Sequence, residues 1–255
     1  MKNVRAARRA RPTTKILRGP RPPSSKAAAS RPYVICHMVP SVDGRIVTTR
    51  WPVPGSLHSE YERTAARLEG DGWIVGRISM EPYAGRAALP RGSGARIPRT
   101  DFVARADAPS YAIAVDPRGK LRWESGSIDG DHAVAVLTER VPDLHLAFLR
   151  EQGVSYLFGG RDGIHVPTVL RKLRQRLGIR RLLLEGGGKI NGSFLAAGCV
   201  DELSLLVAPV ADGAIGAPAL FDTPGGSPTR LRLVSAEPRR GGLLWLRYRV
   251  PRPRR

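Results

Sequence analysis

The chain has 255 residues, with 42 Lys+Arg against 22 Asp+Glu and a formal charge of +20. Hydrophobic residues at 42% and charged residues at 25% match a globular protein and exclude wholesale disorder. No apolar run reaches the roughly 18 residues of a membrane span, no apolar signal-peptide core follows the basic N-terminus, and two cysteines, Cys36 and Cys199, exclude a disulfide framework. These traits predict a soluble protein of the reducing cytoplasm with no membrane partner.

The charge is uneven. Ten basic residues and no acid fall within positions 1–31, beside Pro20, Pro22 and Pro23. This composition predicts a disordered basic extension, readable as a solvated tail, a transit peptide or a nonspecific nucleic-acid contact. Three arginines make 251–255 a short basic tail, and the body over 32–250 keeps an excess of +7. The body does not interleave aromatic and basic residues as single-strand binders do, so no specific nucleic-acid partner is expected.

In chain order, 33–39 is mostly apolar and predicts a buried strand, followed by a turn over Ser41-Val42-Asp43-Gly44-Arg45. Ser56 is placed to cap a helix through about Glu69, with Leu57, Tyr61, Ala65 and Leu68 at helical spacing. A short strand over 72–76 runs into a polar turn, and the Gly/Pro/Arg-rich stretch 83–109 predicts a mobile loop. Strands follow over 111–115, 133–137 and 154–158, with a helix over 144–151 between the last two. Pro167 suits the first turn of a helix to Leu177, and Gly178 suits its end. A strand over 179–184, a helix over 191–197 and a strand over 202–208 precede a closing antiparallel pair over 230–235 and 243–248. Strands alternating with helices predict an α/β domain with a largely parallel core sheet.

The chemistry concentrates where predicted strands end. After 182–184 come Glu185, then Gly186, Gly187 and Gly188, then Lys189, Ile190, Asn191, Gly192 and Ser193 opening a helix. Glycines let a ligand approach the backbone, and free helix N–H groups attract anions, so this segment predicts phosphate binding. It is not a Walker A loop, and Asn191 sits where a Rossmann fingerprint has its third glycine. The plainer reading is a tight turn needing positive φ. A second junction, Gly76-Arg77-Ile78-Ser79, offers a close approach, a charged donor and a hydroxyl, although an exposed arginine beside a capping serine is the default there. The five histidines lack metal-ligand spacing, and neither Cys-x-x-Cys nor Gly-x-Ser-x-Gly occurs, so no metal is expected and both cysteines read as buried apolar residues.

Pro32-Tyr33-Val34, Ser41-x-Asp43-Gly44-Arg45, Val75-Gly76, Val115-Asp116, Leu184-Glu185-Gly186-Gly187-Gly188, Val200-Asp201-Glu202-Leu203 and Pro209 occur in this order. Together they resemble the reductase domain of bacterial riboflavin-biosynthesis proteins, the RibD C-terminal type, within the dihydrofolate reductase-like superfamily. The resemblance implies a mixed, mostly parallel sheet flanked by helices with a C-terminal antiparallel strand pair. It also implies a homodimer, NADPH as cofactor, and a phosphorylated heterocyclic substrate whose ribosylamino group is reduced to ribitylamino. Gly187 through Ser193 match the family's cofactor-phosphate loop, Glu185 its substrate-contacting glutamate, and Ser41 and Asp43 the turn beside nicotinamide and sugar. Asp43 and Glu185 are the candidate catalytic carboxylates, orienting sugar hydroxyls or delivering a proton.

One segment departs from the family pattern. Gly76-Arg77-Ile78-Ser79-Met80-Glu81-Pro82-Tyr83 stands where riboflavin reductases carry a threonine and an Asp-Asp-Pro-x-Leu-type stretch. It is similar to the Gly-Arg-x-Thr-x-Glu turn of dihydrofolate reductases, which implies Gly76, Arg77 and Ser79 as NADPH contacts. It leaves open a pteridine, folate or small carbonyl substrate, or a nucleotide-binding domain without turnover.

Overall fold

The computed structural model describes residues 30–90, 96–226 and 228–251. The expected basic extension lies outside the described residues up to position 29, and the tail does so from position 252. Arg31, assigned to the extension from sequence, belongs to the body. Its guanidinium grips Asp201 with two hydrogen bonds of 2.7 and 2.9 Å, and the same carboxylate accepts the Val34 N–H.

Among the described residues the chain forms ten strands and five helices. In order they are β1 (Tyr33–Met38), α1 (Leu57–Arg67), β2 (Gly72–Gly76), α2 (Arg77–Ala84), β3 (Tyr111–Val115), β4 (Ser127–Ile128), β5 (Asp131–Thr138) and α3 (Asp143–Glu151). There follow β6 (Ser155–Gly160), α4 (Val166–Leu177), β7 (Arg181–Leu184), α5 (Gly188–Ala196), β8 (Glu202–Val207), β9 (Arg232–Pro238) and β10 (Leu244–Arg249). They build one sheet in the order β4-β5-β3-β2-β7-β1-β8-β10-β9, with β6 also paired to β5. All pairings from β6 across to β8 are parallel, and β10 runs antiparallel to both β8 and β9.

Alternate side chains of the core strands enter opposite layers. Ile35, Trp73, Ala112, Ala135 and Leu183 meet α1, α2 and α3, whereas Val34, Ile74, Ile113, Val136 and Leu182 meet α4 and α5. Burial on both faces explains the continuous apolar runs, most fully in β5, where all eight residues are buried. On α4 the buried set Val166, Val169, Leu170, Leu173 and Leu177 keeps helical spacing; Pro167 sits in its first turn, and Gly178 closes it at φ +68°. Each such large apolar side chain stabilises the fold by about 1.5–3 kcal/mol.

Three local expectations are corrected. Ser56 does not cap α1 with its side chain; its hydroxyl donates to the Arg240 carbonyl. The polar turn after β2 is the helix α2, which accommodates Pro82. Residues 101–104 of the expected loop are held against β6: Phe102 and Tyr156 exchange two backbone hydrogen bonds, Phe158 N–H donates to Asp101, and Lys172 bridges Asp101 and the Phe158 carbonyl. Side-chain anchors supplied by distant elements replace local regularity there.

His145 of α3 is 2% exposed, and both ring nitrogens lack a hydrogen-bond partner. Burial, then the nearby Arg122 charge, pushes its pKa down to about 4. Since an unfolded histidine titrates near 6.5, the unfolded state binds the extra proton between about pH 6.5 and 4. Stability is therefore retained above this window and falls as pH drops through it, by about 3 kcal/mol in full. His145→Leu should remove most of that dependence, seen as a smaller gap between the thermal midpoints at pH 7 and pH 4.5.

Candidate active site

The sheet order creates a crevice. β1 and β2 lead into α1 and α2 on one face, but β7, lying between them, leads into α5 on the other. Such a reversal opens a space at the carboxyl ends of the strands, where open α/β sheets take ligands. A cavity of about 160 Å³ lies there. Met38 and Val75 from the ends of β1 and β2 line it, together with Glu185 just past β7, Ser79 and Tyr83 of α2, and His58 and Tyr61 of α1.

Two helix N-termini meet beside this cavity. Gly76 caps α2 and Gly187 caps α5, both with extended backbone. The Gly76 N–H donates to the Gly186 carbonyl at 2.9 Å, and a Cβ on Gly76 would stand 3.0 Å from Ile190. The first-turn N–H groups of both helices therefore open onto neighbouring ground, with the positive end of each dipole. Arg77 at the start of α2 pairs with Glu81 one turn on, and its charge also acts on buried Asp116 at the end of β3. Burial raises the Asp116 pKa, while N–H groups of Leu121 and Lys120, then Arg77 and Arg122, counter it.

The glycines after β7 have different jobs. Gly186 takes φ +88°, so the tight-turn reading holds for it. Gly187 faces open space, the nearest atom to an added Cβ being Ile46 Cδ1 at 3.9 Å. Gly188 and Gly192 are packed against the chain itself: added Cβ atoms would stand 2.2 Å from the Ala219 carbonyl oxygen and 2.0 Å from Thr223 Oγ1. The Asn191 side chain is fully buried and donates to the Leu220 carbonyl. All three positions pack against the strap 217–223. Lys189 and Ser193 are exposed, with the Ser193 hydroxyl donating to the Lys189 carbonyl.

Ser41 and Asp43 organise a wall and do not line the cavity. Ser41 Oγ donates to Asp43 at 2.6 Å and accepts the Arg45 N–H. The Asp43 carboxylate also accepts the N–H groups of Asp212 and Gly213, both at 2.9 Å. The Ser41 bond, then these two, holds the Asp43 carboxyl well below the usual range. It therefore carries no proton to give at neutral pH. Further bonds, from Val42 N–H to Val210 and from Leu220 N–H to Gly44, fasten the strap to this turn. Of the two candidate carboxylates, only Glu185 reaches the cavity. His58 carries no signal of its own in the sequence, although it shares the first turns of α1 with Leu57 and Tyr61, whose spacing marks the helix.

Residues 32–244 match the RibD C-terminal domain family. The chain is 29% identical over 196 residues to the 2,5-diamino-6-ribosylamino-4(3H)-pyrimidinone 5′-phosphate reductase of Methanothermobacter thermautotrophicus, covering 76% of this chain and 86% of that protein. The reductase of the same name from Aquifex aeolicus is 27% identical over 201 residues, covering 76% and 84%. In structure, a pyrimidine reductase-like protein from Corynebacterium diphtheriae superposes with a TM-score of 0.66 at 17% identity, over 90% of this chain and 96% of that one.

The contrast among the glycines can be measured. Gly188→Ala should destabilise the fold by about 2 kcal/mol through overpacking against the strap, whereas Gly187→Ala should leave the thermal midpoint within about 2 °C of the parent, a shift of under 1 kcal/mol. Equal melting of both variants would refute the division.

Proposed function

Since the chain belongs to the RibD C-terminal domain family, we propose that it is the riboflavin-pathway reductase that converts the ribosylamino group of a pyrimidine 5′-phosphate to ribitylamino with NADPH. The observation that carries this reading is the cavity at the end of β7, with Glu185 in its wall beside two helix N-termini. The donor set fits a dinucleotide: the open face of Gly187 admits a pyrophosphate, and the first turns of α2 and α5 supply N–H donors. Gly76, Arg77 and Ser79 would hold one side of the cofactor, and Gly186 to Ile190 the other, through backbone rather than side chains. Arg77 would take the 2′-phosphate that separates NADPH from NADH.

When bound, the nicotinamide supplies a hydride, and the acceptor is C1′ of the opened ribose. Glu185 accepts hydrogen bonds from substrate hydroxyl or amino groups and fixes that carbon in place. Met38, Val75 and Tyr83 exclude water from it. Ser79 and Tyr83 come from the segment that departs from the family pattern, so this segment shapes the substrate wall. Asp43 serves indirectly, by keeping the strap closed on α5.

A homodimer accords with β9, an edge strand that leaves Leu233 56% and Val234 43% exposed. An edge pairing antiparallel with its own copy satisfies two-fold symmetry. A cytoplasmic location is part of the same reading; no helix among the described residues is long and apolar enough to cross a membrane.

The deciding experiment follows nicotinamide absorbance with the full chain, NADPH or NADH, and the ribosylaminopyrimidine 5′-phosphate in its aminated and deaminated forms. NADPH oxidation tied to ribitylamino product is expected. Cofactor binding without turnover of either pyrimidine would move the reading to another substrate. Arg77→Ala should weaken NADPH about tenfold, or 1.4 kcal/mol, and leave NADH unchanged; equal losses would place Arg77 on the pyrophosphate. Glu185→Gln should lower turnover with NADPH affinity kept, and loss of NADPH binding alone would put Glu185 in the cofactor site.

A further inference from the structure

Reduction of a ribosylamino group needs a proton as well as a hydride, and Asp43 has none to give. Resting on the reductase reading, we propose that His58 is the proton donor of this site. All five histidines are among the described residues, and their surroundings separate them. His37 Nδ1 lies 3.0 Å from Ser204 Oγ with Nε2 near Thr64, His132 Nε2 lies 2.7 Å from Ser155 Oγ, and His165 Nδ1 lies 2.9 Å from Thr168 Oγ1. His145 is sealed in the core beside Phe148. His58 alone combines a place in the cavity wall with a buried nitrogen, Nδ1, that has no hydrogen-bond partner. Three of the other histidines have hydrogen-bond partners and the fourth is sealed in the core, so His58 is the histidine of the cavity wall that the fold leaves with an open hydrogen-bonding position.

The other titratable groups in that wall are Glu185 on the β7 side, Tyr61 on α1 and Tyr83 on α2. Tyr61 stacks on His37 and donates to its carbonyl, and Tyr83 stands edge-on to Trp73. A carboxylate such as Glu185 is suited to accept from hydroxyl or amino groups. Imidazole can both donate and accept a proton, which suits it to the donor role.

The exocyclic nitrogen lone pair forms a C1′=N bond as the C1′–O4′ bond breaks, and O4′ takes the His58 proton to become a hydroxyl. The hydride of the proposed reaction then adds to C1′, returning the electron pair to nitrogen and leaving the ribitylamino group. Neutral His58 regains its proton from solvent.

The test uses the full chain carrying His58→Gln and, separately, His58→Ala. With NADPH and the aminated pyrimidine 5′-phosphate, His58→Gln should lose about 100-fold or more in kcat, while KM and NADPH affinity change by less than about threefold. The decline of wild-type rate on the alkaline side should vanish in His58→Gln, and added imidazole should restore His58→Ala in proportion to its protonated fraction. A His58→Gln enzyme that keeps kcat while the wild type turns over would overturn the assignment alone. So would a loss confined to KM, or a lack of imidazole rescue in a His58→Ala enzyme that still binds NADPH. A wild-type chain that binds NADPH and reduces neither pyrimidine would overturn the reductase reading and the assignment with it.

Discussion

The site depends on one constraint of sheet topology, the entry of β7 between β1 and β2. β7 is four residues long, yet it pairs in parallel with both neighbours, Leu184 aligning with Cys36 on one side and Ile74 on the other. A crossover between parallel strands of one sheet is right-handed in nearly all proteins, so a connection travelling toward β8 covers the opposite face from those travelling toward β3. α5 must therefore part from α1 and α2 at the end of β7. The crevice is a consequence of chain direction, and the Gly76 to Gly186 hydrogen bond ties its two lips together.

Within that frame, residues that look equivalent in the sequence do unlike things. The glycine run divides into one positive-φ turn, one open face and one position filled by the strap. The two carboxylates divide in the same way. Asp43 spends its lone pairs on Ser41 and on the backbone N–H groups of Asp212 and Gly213, and those bonds favour its ionised form. Glu185 stands at the cavity instead. A functional group is thus defined less by its identity than by how many of its hydrogen-bonding positions the fold has already occupied.

Every strand but the two-residue β4, four of the five helices and the family could be read in the sequence, because a parallel core buried on both faces leaves continuous apolar runs and the glycine-bearing turns fall at their ends. α2 escaped because its Arg77, Glu81 and Pro82 mask a pattern in which only Met80 and Ala84 are buried. The anchoring of 101–104 to β6 escaped for another reason: Asp101, Ser155 and Lys172 act across tens of residues and leave no local periodicity. In the site, the positions of Glu185 and Ser79 followed from strand ends. The packing role of Gly188, Asn191 and Gly192 did not, since nothing nearby in sequence announces a strap arriving from 217–223. His58 was hidden among ordinary helix positions; only the shape of the cavity distinguishes it.

The wall that Asp43 and Arg45 fasten also bears on how the protein is made. The bonds from Asp43 to 212 and 213, from Arg45 to Ala217 and from Arg31 to Asp201 each join residues separated by 169 to 172 positions. Of the described strands β1 is made before the others, but both of its sheet partners, β7 and β8, are among the later ones. An apolar strand must wait without neighbours for most of the synthesis of the chain, which is the interval in which a chaperone has something to hold. Ligand competence comes only when the strap has emerged and closed on α5, so a truncated product ending before it would retain much of the apolar core and lack a finished site.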